Sequence, residues 1–257
     1  MPYVDRHGTP GGTLAIVLHG AVANCKTWLP LARVMPPGIE LWCPDLPGHG
    51  GRRDEPFALA SSLALVDALL AEAGPRRTVI AGDSLGGYLA LAAAARADAR
   101  VAGVVAGGCT WSMTGWRGAL ARASDGPPVF LERLVGSARL ERVAATILPH
   151  LTDDATARAI VEIGLRVRAR SESLDALRGM DVVALTRAIA VPIGFVNGMF
   201  DWPTRAGEGE LLRANAGATV SLARTGHGVG FFAARAFANV IADVVRRARA
   251  REGSRPR

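Results

Sequence analysis

Short apolar runs of strand length alternate along this sequence with segments whose apolar residues recur at helical spacing. Parallel strands joined by crossover helices produce this alternation, because each helix covers one face of the sheet. The pattern therefore predicts an α/β fold with a mostly parallel sheet flanked by helices. The predicted strands are Thr13–His19, Ile39–Cys43, Arg77–Gly82, Arg100–Gly107, Val191–Asn197 and Ala218–Ala223.

The alternation is interrupted between residues 111 and 188, which contain no convincing strand. The helical segments predicted there are Val129–Leu148, Ala155–Val167 and Ser173–Arg178. We expect this stretch to be a helical cap inserted between two strands, because its neighbours on both sides continue the sheet pattern. The predicted core then consists of residues 1–110 and 189–250. Residues 251–257, rich in Gly, Ser, Pro and Arg, are expected to form a flexible C-terminal tail.

Composition places the chain among globular proteins. Hydrophobic residues make up 49% and charged residues 21% of its 257 positions, which excludes disordered and fibrous classes. No apolar run approaches the roughly 18 residues that a membrane span requires. The polar stretch Met1–Gly12 lacks the basic and then apolar pattern of a secretory signal. We therefore expect a cytoplasmic protein that does not enter a membrane.

The net charge of +7 comes almost entirely from arginine, because Lys26 is the only lysine among the 30 basic residues. These arginines are scattered and are not interleaved with aromatic residues, as they would be on a nucleic-acid surface. The densest group, Arg246–Arg251, lies near the end of the chain. We expect no nucleic-acid partner.

The segment Gly82-Asp83-Ser84-Leu85-Gly86 has the form G-x-S-x-G. It follows a predicted strand and opens a predicted helix, which is the setting of a nucleophile elbow. The glycines permit a sharp turn and close packing of helix against strand. Ser84 is therefore the predicted nucleophile, the other interpretation being a glycine-rich turn with a capping serine. Asp83 is expected to point elsewhere and to be structural.

A serine hydroxyl needs a base, and the base needs a carboxylate that orients it. Of the five histidines, His227 follows the last predicted strand, so it lies at the same sheet edge as Ser84. Asp201 follows the preceding strand, and the strand after the elbow helix leads into Gly107–Thr110, which offers no carboxylate. The order Ser84, Asp201, His227 predicts a catalytic triad.

Stabilising the oxyanion of an acyl-transfer reaction requires two N–H donors beside the nucleophile. The backbone N–H of Leu85, at the start of the elbow helix, is the first candidate. The second is the N–H of Ala21, in the loop that follows the first predicted strand. Only their backbone positions support this prediction.

Together these segments resemble the α/β-hydrolase superfamily, of the capped type with a serine nucleophile. The segments that carry the resemblance are Leu18-His19-Gly20, Asp45-Leu46-Pro47-Gly48-His49-Gly50, Gly82–Gly87, Asn197–Asp201 and Gly226-His227. The resemblance covers residues 4 to 249 and implies that His19 is a structural residue of the oxyanion loop. Two departures concern the pocket near His227: the usual proline after this histidine is missing, and Trp202-Pro203 make the acid loop bulkier.

The predicted activity is hydrolysis of a small-molecule carboxylic ester, lactone or thioester through an acyl-enzyme on Ser84, with no metal or cofactor. Branches of the superfamily that use an aspartate nucleophile are excluded. The substrate is expected to carry an apolar acyl or aromatic group. The residues predicted to line its pocket are Trp111, Trp116, Met199 and Trp202.

Three alternatives remain open at this point. The same triad could cleave a carbon–carbon bond in a vinylogous diketone, or it could act as a cofactor-free perhydrolase or acyltransferase. The chain could also be a ligand-binding module on a hydrolase scaffold, because a fold does not determine a function. The sequence does not define the oligomeric state.

Overall fold

Seven strands form one sheet in the computed structural model, which describes residues 3–253. The strands are β1 (Val4–Gly8), β2 (Thr13–Leu18), β3 (Ile39–Pro44), β4 (Thr78–Asp83), β5 (Val101–Gly107), β6 (Ile193–Gly198) and β7 (Ala218–Ala223). Their order across the sheet is β1-β3-β2-β4-β5-β6-β7. Only the pair β1 and β3 is antiparallel, so the prediction of a mostly parallel α/β sheet is confirmed.

The edge strand β1 is the one strand that the sequence pattern does not predict. Its segment, Val4–Gly8, contains Asp, Arg and His and lacks the apolar run of a buried strand. The strand forms by pairing with β3, with Val4 opposite Pro44. A charged edge strand of this kind is a usual way to protect a sheet from pairing with another chain.

Helices cover both faces of the sheet. The α-helices of the described residues are α1 (Leu29–Val34), α2 (Leu59–Ala73), α3 (Leu85–Ala94), α4 (Gly115–Ala123), α5 (Gly126–Val135), α6 (Ser137–Ile147), α7 (Asp154–Ile163), α8 (Ala169–Ala176), α9 (Val182–Ala188), α10 (Trp202–Arg205), α11 (Glu208–Ala214), α12 (Val229–Phe232) and α13 (Ala234–Gly253). In the described part of the chain, no helix combines the length and the apolar character that a membrane span would need.

Side chains of β2 show how the sheet separates two apolar layers. Leu14, Ile16 and Leu18 belong to a layer that includes residues of α2 and α3. Ala15 and Val17 point to the opposite layer, which includes residues of α1 and α13. Because neighbouring side chains on a strand point to opposite faces, a continuous apolar run serves both layers.

Helix α13 ends later than the sequence predicts. It continues to Gly253, so the first three residues of the predicted tail 251–257 are helical. Residues 254–257 of that tail lie outside the described residues.

Helices α4 to α9 occupy the stretch between β5 and β6 that the sequence assigns to a cap. The predicted helix Val129–Leu148 is two helices, because the chain breaks at Gly136 with a φ of +88°. The N–H of Met113 donates to the carbonyl of Met180, and the N–H of Gly179 donates to the carbonyl of Met113. These bonds bring the start and the end of the segment together, and its role as a cap stays a prediction.

Candidate active site

Ser84 lies at the turn between β4 and α3, at the carboxyl edge of the sheet. Its φ of +54° is unusual for a residue with a side chain and is typical of the strained turn of a nucleophile elbow. The turn is held by the N–H of Ser84, which donates to the carbonyl of Gly107 over 2.8 Å, and by the carbonyl of Ser84, which accepts from Gly87 over 2.9 Å. The side chain is partly exposed.

The two glycines of the motif are required by backbone contacts. A Cβ on Gly82 would lie 2.1 Å from the carbonyl oxygen of Gly86, and a Cβ on Gly86 would lie 1.9 Å from that of Leu18. No side chain fits at such distances. The elbow helix therefore packs directly on the backbone of β2 and β4, which fixes the position of Ser84.

His227 connects the serine to a carboxylate. The Nε2 atom of His227 lies 2.9 Å from Oγ of Ser84. The Nδ1 atom lies 2.8 Å from Oδ2 of Asp201. With Nδ1–H donating to the carboxylate, Nε2 is free to accept the hydroxyl proton of the serine. The structure thus brings together the three residues of the predicted triad.

The loops that carry Asp201 and His227 are bonded to each other. The N–H of Met199 donates to the carbonyl of Ala223 over 2.7 Å, and the N–H of Phe200 donates to that of Thr225 over 3.0 Å. Adjacent parallel strands β6 and β7 therefore continue their pairing beyond their ends. This pairing places the acid and the base at hydrogen-bonding distance.

The electrostatics of the pair favour a charged histidine. The hydrogen bond to Asp201 raises the pKa of His227 above its usual range, and the negative charge of Asp83 adds to this effect. Burial opposes ionisation of Asp201, but the hydrogen bonds of His227 and Thr204 outweigh it and lower the pKa of that carboxyl. An imidazolium formed on His227 would therefore be stabilised.

The loop after β2 lies beside the serine. A Cβ on Gly20 would be 3.5 Å from Cβ of Ser84. Ala21 follows in this loop, and Leu85 is the first residue of α3, as predicted for the two oxyanion donors. Their role in binding an oxyanion stays a prediction.

Both ring nitrogens of His19 contact the backbone in and near this loop. Its Nδ1 lies 2.8 Å from the carbonyl oxygen of Gly20, and its Nε2 accepts from the N–H of Leu46 over 3.1 Å. Burial lowers the pKa of His19 to about 4, so the ring is neutral at physiological pH.

A family model described as the alpha/beta hydrolase family matches residues 15–240. The chain belongs to the alpha/beta hydrolase family. The predicted membership of the α/β-hydrolase superfamily and the predicted α/β fold are thereby confirmed.

Curated relatives of this hydrolase match it over part of their length. It is 32% identical to the lipase LipV of Mycobacterium tuberculosis over 104 residues, which is 40% of each chain. It is 33% identical to the pimeloyl-[acyl-carrier protein] methyl ester esterase of Pectobacterium carotovorum over 112 residues, or 42% of each. The chain thus matches about two fifths of the length of these relatives.

A solved structure shows the same fold over the whole chain. MenH from S. aureus superposes with a TM-score of 0.75, covering 97% of this hydrolase and 100% of MenH at 15% identity. At this identity the likeness concerns the fold alone.

The four residues predicted to line the substrate pocket lie in two places. Trp111 and Trp116 are in contact edge to face, with ring centroids 5.8 Å apart, at the start of the segment between β5 and β6. Met199 and Trp202 flank Asp201. Trp116 and Trp202 are strongly exposed, at 68% and 76%. Their contact with a substrate stays a prediction.

A polar tether of the loop after β2 was not predicted. The side-chain amide of Asn24 donates to the carbonyls of Ile160 and Gly164, both over 3.0 Å. The N–H of Arg166 donates to the carbonyl of Val22 in the same loop. These partners lie more than a hundred residues away in sequence, so no local pattern could have indicated them.

Asp83 differs from the expectation that it points away from the triad. Its carboxylate is buried and is close enough to His227 to influence the charge of the ring.

Across the described residues, no group of three or more His, Cys, Asp and Glu side chains could hold a metal ion.

Proposed function

We propose that this hydrolase cleaves a small-molecule carboxylic ester, lactone or thioester through an acyl-enzyme on Ser84. The observation that carries the proposal is the pair of hydrogen-bonding contacts that His227 makes. Its Nε2 lies 2.9 Å from Oγ of Ser84, and its Nδ1 lies 2.8 Å from Oδ2 of Asp201. A serine hydroxyl bonded to a histidine that is oriented by a carboxylate is an activated nucleophile.

In the proposed reaction, Oγ of Ser84 attacks the substrate carbonyl while its proton moves to Nε2 of His227. The carbonyl oxygen becomes an oxyanion, which the N–H groups of Leu85 and Ala21 stabilise. The imidazolium then gives its proton to the leaving oxygen as the ester bond breaks. Water, deprotonated by the same ring, releases the acid and restores the serine. Asp201 keeps the ring in the required tautomer throughout.

The proposed substrate has a modest apolar acyl or aromatic group. Half of the His227 side chain, 52%, is exposed, so the triad is open to small molecules. Aromatic residues adjoin Asp201 on both sides, as Phe200 and Trp202, and others lie in the proposed cap, residues 111–188. The relatives named as an esterase and a lipase support ester hydrolysis.

Labelling with a small fluorophosphonate, followed by intact mass spectrometry, tests the nucleophile. We expect one adduct on the wild type and none on Ser84→Ala. The control variant is Ser61→Ala, which removes a partly exposed hydroxyl on α2 and should be labelled normally. An adduct on Ser84→Ala, or none on the folded wild type, would contradict the proposal.

Turnover of an ester, lactone and thioester panel follows, with a vinylogous diketone and an alcohol acceptor added. We expect hydrolysis of short esters, with kcat/KM lowered about 10⁴-fold or more in Ser84→Ala. Faster cleavage of the diketone, or acyl transfer exceeding hydrolysis, would replace the proposed activity by the corresponding alternative.

A further inference from the structure

Asp83 is a buried carboxylate immediately before the proposed nucleophile. It is the last residue of β4 and is only 7% exposed. The N–H of Gly230, at the start of α12, donates to it, whereas Oδ1 has no hydrogen-bond partner among residues 3–253. A buried carboxylate with an unpaired oxygen is costly, so its presence beside Ser84 calls for a reason.

The free oxygen of Asp83 and the ring of His227 approach the same point at the end of β5. A Cβ on Gly108 would lie 3.3 Å from Cε1 and 3.5 Å from Nδ1 of His227, and 3.6 Å from Oδ1 of Asp83. A Cβ on Gly107 would lie 2.8 Å from the same oxygen. Because neither glycine has a side chain, nothing at these positions separates the carboxylate from the ring.

The charges that face the ring come from three elements. Asp201 bonds to it from the loop after β6, Asp83 approaches from β4, and Arg170 of α8 acts in the opposite direction. The neighbouring Cys109 thiol stays uncharged, because burial and the charge of Asp83 raise its pKa far above the usual range. Two carboxylates therefore act to raise the pKa of the ring, and one guanidinium acts to lower it.

Asp83 itself is an anion at neutral pH. Burial raises the pKa of Asp83 to about 6, and the charge of Asp201 acts in the same direction, while His227 and the N–H of Gly230 hold it down. A value near 6 leaves the carboxyl ionised in the pH range where a histidine base works.

We propose that Asp83 is a second carboxylate for His227 and stabilises the imidazolium that forms when the ring takes the proton of Ser84. The inference rests on the proposed function for this reaction step, whereas the effect of Asp83 on the pKa of the ring can be measured without turnover. Asp83 neither gives nor takes a proton: the proton moves from Oγ to Nε2 and then to the leaving group. It is a positioning residue that acts through the ring.

The test variant is Asp83→Asn, which removes the charge and keeps an oxygen that can accept from Gly230. NMR of the histidine ring nitrogens, with His227 assigned by its loss in His227→Gln, gives the titration midpoint of the ring. We expect this midpoint to move to lower pH in Asp83→Asn, because one of two negative charges is removed. The matched control, Glu40→Gln, removes a buried carboxylate at the opposite end of the sheet and should leave the midpoint unchanged.

With a substrate found by the panel, the acid limb of kcat/KM should move to lower pH in the same variant. The plateau should fall about tenfold through kcat, with KM unchanged, because the imidazolium exists only after attack has begun.

An unchanged ring midpoint in folded Asp83→Asn would overturn the proposal. The NMR titration needs no turnover, so a wild type that fluorophosphonate does not label would refute the proposed function and leave this measurement valid. If Asp83→Asn does not fold, Asp83→Ser supplies a second uncharged variant with an oxygen near Gly230. The same midpoint criterion applies to it.

Discussion

Replacing Asp83 by Asn should change how stability depends on pH. The folded chain holds this carboxyl at a pKa of about 6, against an ordinary 3.8, mainly because it is buried. A group with a raised carboxyl pKa binds more protons in the folded than in the unfolded state, so the folded state loses stability as pH rises through this range. The variant has no such loss.

The magnitude follows from the two pKa values. A difference of roughly two pH units corresponds to about 3 kcal/mol once both states are ionised, of which about 2 kcal/mol falls between about pH 4.5 and pH 8. His227 adds to the effect with the same sign. Its raised pKa stabilises the wild type at low pH, and this stabilisation is lost as pH rises. The loss is larger when Asp83 is present, because the charge of Asp83 helps to raise the pKa of His227.

The assay is denaturant unfolding of wild type and Asp83→Asn at these two pH values, followed by tryptophan fluorescence. On going to the higher pH, the free energy of unfolding of the variant should rise by about 2 kcal/mol relative to that of the wild type. Because the two proteins are compared at two pH values, any pH-independent free-energy cost of burying the amide cancels. A difference that is the same at both pH values would refute the reasoning.

Glu40→Gln provides a control of opposite sign. Burial disfavours the Glu40 anion, but hydrogen bonds from Trp42 and Arg76 outweigh it and lower the pKa of Glu40. Its contribution to stability is therefore present at neutral pH and lost as pH falls. The free energy of unfolding of the wild type should exceed that of Glu40→Gln by a larger amount at the higher pH. This is the reverse of the result expected for Asp83→Asn.

Two further variants test the triad and the elbow. Asp201→Asn should lower kcat/KM about 10³- to 10⁴-fold, because the amide donates to Nδ1 of His227 and moves the ring proton to Nε2; a loss below tenfold in a steady-state ester assay would contradict this. Gly86→Ala should destabilise the fold by at least about 3 kcal/mol, since its Cβ would lie 1.9 Å from the carbonyl oxygen of Leu18. Thermal unfolding measures this loss, and Gly126→Ala, which has open space around its Cβ, is the control.

The central strands β2 to β6 could be predicted from sequence because they are short and mostly apolar runs. The predicted strand Ala218–Ala223 has the observed bounds, and the others differ by one or two residues at their ends. Edge strand β1 escaped prediction, because its formation depends on pairing with β3 and not on its own apolar content. The break at Gly136 was likewise hidden by apolar residues that keep helical spacing across it.

The relation among Ser84, Asp201 and His227 could be predicted because strand order alone brings the three loops to one edge. Contacts made by side chains across the fold could not. Asn24 meets carbonyls from the segment after β5, and Asp83 meets a ring that lies 144 positions later in the chain. Asn24 lies in a loop and Asp83 ends β4, and at such positions the local sequence of a polar residue is equally consistent with a cap or a solvated loop.

The end of β5 shows how the missing side chains shape the site. In the sequence, Gly107 and Gly108 matter only because they offer no carboxylate, which leaves Asp201 as the acid. In the structure their lack of Cβ atoms is what lets Asp83, at the end of β4, and His227, in the loop after β7, both approach the end of β5. A side chain at Gly107 would also collide with Phe237 of α13 at 2.9 Å. The same two residues therefore exclude an acid at this strand and, by leaving space, admit a second carboxylate from the strand beside it.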